Sequence, residues 1–183
     1  TALSPKSITR HRRLAELAEK NGDDATCLKA YEESIRWNYN SCHATPEDYL
    51  SLARKTVDVA KTVSSREAVD KTKKALGLLE RMQRRFPQKK HKAKSNFIES
   101  QLYACQGKEK FSQSLLEQAE SEYGTLDPKD IDSRLDYACA HIMSGDKQKA
   151  YKELHLLSKE NKASAGVLKR IDRISEEPIS LAG

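Results

Sequence analysis

The chain repeats one pattern of small and bulky residues around a glycine, with LAELAEKNGDDATCLKAYEES at residues 14–34 and YACAHIMSGDKQKAYKELHLL at residues 137–157. A small residue lies seven positions before the glycine, and small, bulky and again small or apolar residues lie five, nine and twelve positions after it. A weaker copy surrounds Gly107. The pattern is typical of a helix-turn-helix unit that cannot bury its own apolar face. Its copies must therefore stack on one another.

Composition favours long helices over sheets. The 183 residues include 33% charged and 6% aromatic side chains, with few glycines and prolines, which is typical of helical repeat proteins. The length fits one domain, 1–183. A net charge of +6 in a chain that also has 27 acidic residues permits an acidic partner without requiring nucleic acid.

Capping residues and turn signals divide the chain into nine helices with no strand. Helix starts are predicted at Ser4-Pro5, Thr45-Pro46, Ser64 and Asp127-Pro128, where a capping side chain precedes proline or an acidic first turn. The predicted hairpins cover about 4–37, 46–86, 89–123 and 128–160, followed by a last helix at about 164–176.

Two apolar stripes complete this assignment. The first helix has small or apolar residues at Ile8, Leu14, Ala15, Leu17 and Ala18. The last helix has Val167, Leu168, Ile171 and Ile174 on one side and no helix after it, which indicates a terminal cap. Pairing of this last stripe between two chains, giving a homodimer, is the alternative.

The spacing resembles the tetratricopeptide repeat (TPR), a helical hairpin unit. Matching positions are the small residues Ala15, Ala53, Ser100 and Ala138 of the first helices, the turn glycines Gly22, Gly107 and Gly145, and the bulky residues Tyr31, Leu79, Leu116 and Leu154 of the second helices. The second unit departs from the pattern, because it has longer helices and no turn glycine. The resemblance implies an all-α, right-handed α-solenoid of about four TPR-like hairpins plus a C-terminal capping helix, whose usual work is binding proteins.

A narrower resemblance concerns residues 4–18 and 46–54, which are similar to the C-terminal repeat modules of certain bacterial response regulators. In those proteins a phosphorylatable receiver domain precedes the repeats. The resemblance implies a cytoplasmic output or scaffolding module of two-component phosphorelay signalling, with its own receiver domain as one partner. Because Thr1 is not a start methionine, we expect the chain to be part of a longer protein.

In the repeat family, the first helix of each hairpin lines a concave groove that takes a peptide or a helix of another protein. Carried over by phase, the groove candidates are Arg12, Glu16, Leu50, Arg54, Val57, Phe97, Gln101, Leu135, Cys139 and Ile142. This mixture of apolar and charged residues suits an amphipathic helix. Alternatively, the apolar members Leu50, Val57, Leu135 and Ile142 form the core between hairpins.

The densest charge run contains no acidic residue and consists of Arg81, Arg84, Arg85, Lys89, Lys90, Lys92 and Lys94. It predicts either a contact for an acidic protein, anionic lipid or nucleic-acid phosphate, or a solvated hairpin tip. Nucleic acid is the alternative function, although few aromatic side chains accompany the lysines as stacking platforms.

No pattern of catalytic chemistry is present in the sequence. The five histidines are scattered, the four cysteines form no C-x-x-C pair, and no glycine-rich phosphate loop or nucleophile elbow occurs. No apolar run is long enough for a membrane span. We therefore expect a non-enzymatic, cytoplasmic protein that needs no metal or cofactor.

Overall fold

The computed structural model describes residues 7–38, 43–162 and 164–176, and every regular element within them is an α-helix. The helices are α1 (Ile8–Lys20), α2 (Asp24–Asn38), α3 (Pro46–Ala60), α4 (Ser65–Arg85), α5 (Lys89–Cys105), α6 (Glu109–Tyr123), α7 (Ile131–Met143), α8 (Lys147–Glu160) and α9 (Ala165–Glu176). The all-α prediction is confirmed. The start predicted at Ser4-Pro5 and residues 39–42 of the connection after α2 lie outside the described residues.

The helices pack in the order in which they follow one another. Helices α1 and α2, α3 and α4, α5 and α6, and α7 and α8 pair as four hairpins. Each hairpin packs on the next through α2 and α3, α4 and α5, and α6 and α7, while α9 packs on α8. The first helices also touch, because α5 contacts both α3 and α7.

Several helices start at the capping residues that the sequence predicts. The Thr45 backbone N–H donates to Asp48 Oδ2 at 3.0 Å, with Pro46 in the first turn of α3. Ser64 Oγ accepts from the Glu67 backbone N–H at 3.5 Å at the start of α4. These bonds satisfy N–H groups that have no partner inside the helix.

Helix α7 begins later than predicted, at Ile131 rather than near Pro128. The Lys129 backbone N–H donates to the Asp127 side chain at 2.9 Å, and the Asp130 N–H donates to the Asp127 carbonyl at 2.9 Å. The Asp127-Pro128 segment is therefore a turn, and Asp130 is the cap, since its side chain accepts from the Ser133 N–H. An Asp-Pro pair suits both a turn and a helix start, and here the turn is formed.

The core consists mainly of small residues where helices cross closely and of branched residues between hairpins. In the first hairpin, Ala15, Ala18, Cys27 and Ala30 are buried together. The largest cluster lies between hairpins one, two and three and contains Ile35, Tyr49, Leu50, Leu52, Ala53, Val57, Ala75, Leu79, Met82, Ile98 and Leu102. A further cluster joins α7, α8 and α9.

The two apolar stripes predicted from the sequence, on α1 and α9, differ in burial. On α1, Leu14 and Leu17 are 46% and 44% exposed, so these two members of the predicted stripe do not lie on the buried side of the helix. The alanines next to them face α2 because only short side chains fit between these closely packed helices. On α9, Ile171 is buried against α7 and α8, with Val167 and Ile174 packed around it. Most of this stripe is thus covered within the chain.

The three turn glycines have backbone angles that favour glycine. Gly22, Gly107 and Gly145 have φ values of +69°, +70° and +89°. Residues with a Cβ atom pay a steric penalty in this left-handed region, whereas glycine does not. The hairpin turns predicted at these positions are confirmed.

We predict opposite effects for the same substitution at two glycines. Gly107→Ala should lower the free energy of unfolding by about 1 kcal/mol, because alanine is strained at positive φ. Gly77→Ala should raise it by up to about 1 kcal/mol, because Gly77 lies inside α4 and a Cβ there meets nothing within 4 Å. Urea denaturation measures both changes, and changes of the same sign would contradict this assignment.

Candidate functional site

Helices α3, α5 and α7 lie side by side and present one continuous surface, which we call the first-helix face. Its residues recur at helical spacing. They are Glu47, Arg54 and Asp58 of α3 with Lys61 directly after its end, Lys94, Gln101 and Cys105 of α5, and Asp132, Asp136, Cys139 and Met143 of α7. Gln101 Nε2 lies 3.4 Å from Met143 Sδ, and Arg54 lies against Asp136, so the three helices share this surface.

Asp136 lies at the centre of this face, between two cations from other hairpins. Its Oδ2 atom is 3.7 Å from Lys94 Nζ and 4.0 Å from Arg54 Nη2. The hydroxyl of Tyr123 donates to the same oxygen at 3.4 Å. Arg54 also binds Glu47 on its own helix, with Nη1 2.6 Å from Oε1. One carboxylate on α7 therefore links α3, α5 and the end of α6.

Burial dominates the electrostatics of this cluster. It raises the pKa of Asp136 above its ordinary value, even though the charges of Arg54 and Lys94 act in the opposite direction. Burial alone would lower the pKa of Arg54, but Asp136 and Glu47 outweigh it and raise that pKa. Burial and the nearby carboxylate also raise the pKa of Tyr123, which keeps its hydroxyl a hydrogen-bond donor. The cluster is thus a compensated set of charges in which each member depends on the others.

Half of the predicted groove residues lie in the core. Leu50, Val57 and Leu135 are each 1% exposed, and Phe97 and Ile142 are nearly as buried. They fill the space between hairpins and do not line an open surface, as the alternative interpretation of the sequence expected. The partly or fully exposed members of the predicted set are Arg12, Glu16, Arg54, Gln101 and Cys139.

Arg12 binds within the chain. Its Nε and Nη2 atoms each lie 2.7 Å from an oxygen of Asp48, and Nη2 also donates to the His43 carbonyl at 3.0 Å. Burial disfavours the ionised form of Asp48, but the hydrogen bonds from Arg12 and Thr45 outweigh it and hold the pKa below its ordinary value. This bidentate ion pair connects α1 to the start of α3.

The basic run of residues 81–94 is not one solvated patch. Lys90 Nζ lies 2.5 Å from Asp130, Lys92 Nζ lies 2.7 Å from Glu122, and Lys94 is buried beside Asp136. Lys90 and Lys94 lie one turn apart on one side of α5 and reach Asp130 and Asp136, whereas Lys92 lies on another side of the helix and reaches Glu122 of α6. In the α4 part of the run, Arg84 pairs with Glu80, and the Arg85 guanidinium lies 5.4 Å from the Phe86 ring centroid. The sequence did not show that acidic residues 30–42 positions later would neutralise the lysines.

The sequence analysis also missed the residues that hold the cluster together. Asp136, Tyr123 and Glu47 were not among its candidates. One signal was available, since Asp136 is a carboxylate inside the otherwise apolar stretch LDYACAHIM of residues 135–143. A buried carboxylate requires a partner charge, so this position predicts a cation from another helix.

A cleft of about 440 Å³ lies beside the turn between α6 and α7. Its lining includes Tyr123, Tyr137 and Arg134, and the guanidinium of Arg134 binds Glu153 and Glu160 of α8. Since these carboxylates already neutralise Arg134, its guanidinium is not free to bind an anionic ligand in the cleft.

Within residues 7–38, 43–162 and 164–176, the structure has neither a metal-binding cluster nor a membrane-spanning helix. No group of three or more histidine, cysteine, aspartate or glutamate side chains is arranged to hold a metal ion. In the same part of the chain, no helix combines the length and apolar character that crossing a membrane requires.

Charge reversal at two lysines of the basic run should separate its buried part from its exposed part. Lys94→Glu replaces a buried cation with a second carboxylate beside the largely buried Asp136, so it should lower the free energy of unfolding by about 3 kcal/mol or more. Lys89→Glu makes the same charge change at an exposed position and should alter it by less than about 0.5 kcal/mol. Urea denaturation gives both values. Equal effects would show that Lys94 is not buried beside Asp136.

The Arg12–Asp48 pair should make stability depend on pH in the acid range. The folded-state pKa of Asp48 is lowered, so its contribution is complete above the unfolded value of about 3.9 and is lost as pH falls through the folded value. Asp48→Asn should therefore cost about 2 kcal/mol at pH 7 and progressively less below about pH 4. Urea denaturation of both proteins in steps from pH 7 to about pH 3 measures the difference. A difference independent of pH would contradict the ion pair.

No protein-family model matches the chain, and no curated protein matches it. A crystal structure of MamA protein aligns over 96% of this chain and 98% of its own, with 15% identity and a TM-score of 0.30. MamA from residue 41 to its end, from Desulfovibrio magneticus RS-1, aligns over 97% of this chain and 100% of its own, with 13% identity and a TM-score of 0.28. At these scores the likeness shows neither the family nor the function of this chain.

Proposed function

We propose that this chain is a non-catalytic scaffold that binds another protein on the first-helix face. In this proposal the four hairpins and α9 stack as a TPR-like, right-handed α-solenoid. One observation carries it: Arg54 of α3 and Lys94 of α5 both lie at Asp136 of α7. Three consecutive hairpins thereby hold one surface in a fixed arrangement, which lowers the entropic cost of binding a partner.

The chemistry of the face suits a segment with both apolar and charged side chains. Its carboxylates and cations alternate across the three helices, and Arg54 and Asp136 remain partly exposed at their centre. Met143 and Cys139 add apolar contact area at the α7 side. An amphipathic helix fits this mixture, since its charged side can meet Arg54 while its apolar side contacts α7.

The cellular setting of the proposal rests on the sequence alone. The resemblance of residues 4–18 and 46–54 to response-regulator repeat modules favours an output module next to a receiver domain. In such a protein, phosphorylation of the receiver would change access to the first-helix face. The complete reading frame of the gene tests this part separately from the binding surface.

Site-directed photo-crosslinking tests the binding surface. A photoreactive residue replaces Lys61, which is exposed on the first-helix face, and in a matched variant it replaces Ser114, which is exposed on α6. We expect one protein to be crosslinked from position 61 in cells and not from position 114. Equal crosslinking from both positions would contradict the assigned face.

The captured protein then allows a quantitative control. Gln101→Trp fills the middle of the face without changing its charge, and it should weaken binding of the purified partner at least about tenfold. Bound partner should also slow alkylation of the Cys105 thiol, which is half-buried on the same face. A partner that leaves both measurements unchanged binds elsewhere.

A further inference from the structure

The outward side of α4 is strongly basic, and contacts within the described chain do not account for all of its cations. Helix α4 has seven basic and three acidic residues and thus accounts for most of the net charge of +6. Its opposite side packs in the core through Ala68, Thr72, Ala75, Leu79 and Met82. The charged side therefore faces away from the first-helix face.

Acidic neighbours within the chain do not neutralise the middle of this side. Lys71 pairs with Glu67, and Arg84 pairs with Glu80. Among the described residues, no carboxylate lies within 4.0 Å of the side-chain nitrogens of Lys73, Lys74 or Arg81, all of which are exposed. A cluster of unpaired cations attracts an anionic partner over about a Debye length, roughly 8–10 Å at moderate salt.

Gly77 supplies a second observation at the same place. It lies in the interior of the helix, where glycine costs about 1 kcal/mol relative to alanine. Its φ is not in the left-handed region, and an added Cβ would meet nothing within 4 Å. Neither the backbone nor the packing of this chain therefore requires a glycine there. A missing side chain does, however, let another backbone approach closely.

The glycine and the cations form one pattern along the helix. Lys73 and Lys74 lie one turn before Gly77, and Arg81 lies one turn after it. The two groups of charge are seven to eight residues apart, which corresponds to about 10.5–12 Å along the axis. A second helix laid along α4 presents carboxylates at the same interval when they are one heptad apart, roughly 10.5 Å. Its backbone would come closest at Gly77.

We propose that the outward side of α4, with Lys73, Lys74 and Arg81 around Gly77, is a docking surface for an acidic helix of a partner protein. This surface is separate from the first-helix face, and the proposal does not depend on the function proposed above. An acidic helix fits better than nucleic acid, because the basic side of α4 has no exposed aromatic residue on which bases stack.

Binding of a defined peptide tests the proposal. The probe is a labelled helical peptide about four heptads long with glutamates seven residues apart on one side, and its control has glutamines at those positions. We expect the acidic peptide alone to bind the wild-type chain, more weakly as salt rises. Failure of the acidic peptide to bind at low salt would overturn the proposal.

Two variants separate docking from general attraction to a basic protein. Lys73→Glu, Lys74→Glu and Arg81→Glu together should weaken binding at least about tenfold. The matched triple change of the exposed α8 residues Lys147, Lys152 and Lys159 to Glu alters the net charge equally. It should weaken binding by no more than about twofold. Equal losses in the two triples would contradict a surface on α4.

Gly77→Gln tests the close approach without changing charge. Glutamine is a better helix former, so thermal unfolding should shift upward while peptide binding falls at least about tenfold. Unchanged binding in this stabilised variant would overturn the docking geometry. A mixed-sequence DNA duplex of about 20 base pairs is the competing probe. If the duplex binds more tightly than the peptide and depends on the same three cations, nucleic acid is the ligand and the proposal is wrong.

Discussion

The arrangement of the last three hairpins depends most on the ion pairs that the Asp136 carboxylate makes with Lys94 and Arg54. This carboxylate lies in a largely apolar setting that disfavours its charge, and it is stabilised there by Lys94 of α5 and Arg54 of α3. A buried carboxylate without such partners would cost several kcal/mol. Hairpins two, three and four must therefore pack so that both cations reach α7. Apolar packing draws the hairpins together, and this cluster selects one register among the arrangements that packing allows.

The two proposed surfaces lie on different helices of the hairpins, one on the first helices and the other on the second helix α4. The first helices carry the fixed charges and lie against one another, whereas the second helix α4 turns its charged side to solvent. On the first-helix face, cations and carboxylates compensate each other, so a partner must match a mixed pattern. On α4, Lys73, Lys74 and Arg81 have no carboxylate partner, so attraction is stronger, less selective and more sensitive to salt. The second hairpin thus contributes to both surfaces, through Arg54 on one side and Gly77 on the other.

Local signals in the sequence predicted most of the fold. Positive φ at Gly22, Gly107 and Gly145 is a local requirement, and the cap at Thr45 involves neighbours three residues apart, so both could be found from spacing alone. Ala15 faces the core and Leu14 does not, because α2 packs closely against α1. Periodicity does not reveal how closely two helices pack. The periodicity of a sequence shows approximately which side of a helix is buried. The distance to the next helix decides which side chain on that side fits.

The candidate site was less predictable because its interactions join distant parts of the chain. Lys94 belongs to a run that looks like an exposed patch, yet its partner Asp136 comes 42 residues later and on another hairpin. A run of charged residues shows the sign of a segment's net charge. It does not show which of these residues form ion pairs in the folded protein. Gly77 is the reverse case. In the sequence Gly77 is a single glycine within a helical pattern, and only the empty space around its Cβ position shows that the packing of this chain does not require a glycine there.

A double-mutant cycle between Lys94 and Asp136 tests the central interaction most directly. The free energies of unfolding of the wild type, Lys94→Met, Asp136→Asn and the double variant are compared by urea denaturation. If the cluster joins hairpins three and four, the double variant should be less destabilised than the sum of the single ones, by about 1 kcal/mol or more. Additivity within about 0.3 kcal/mol would show that the two groups do not interact and that packing alone fixes the first-helix face.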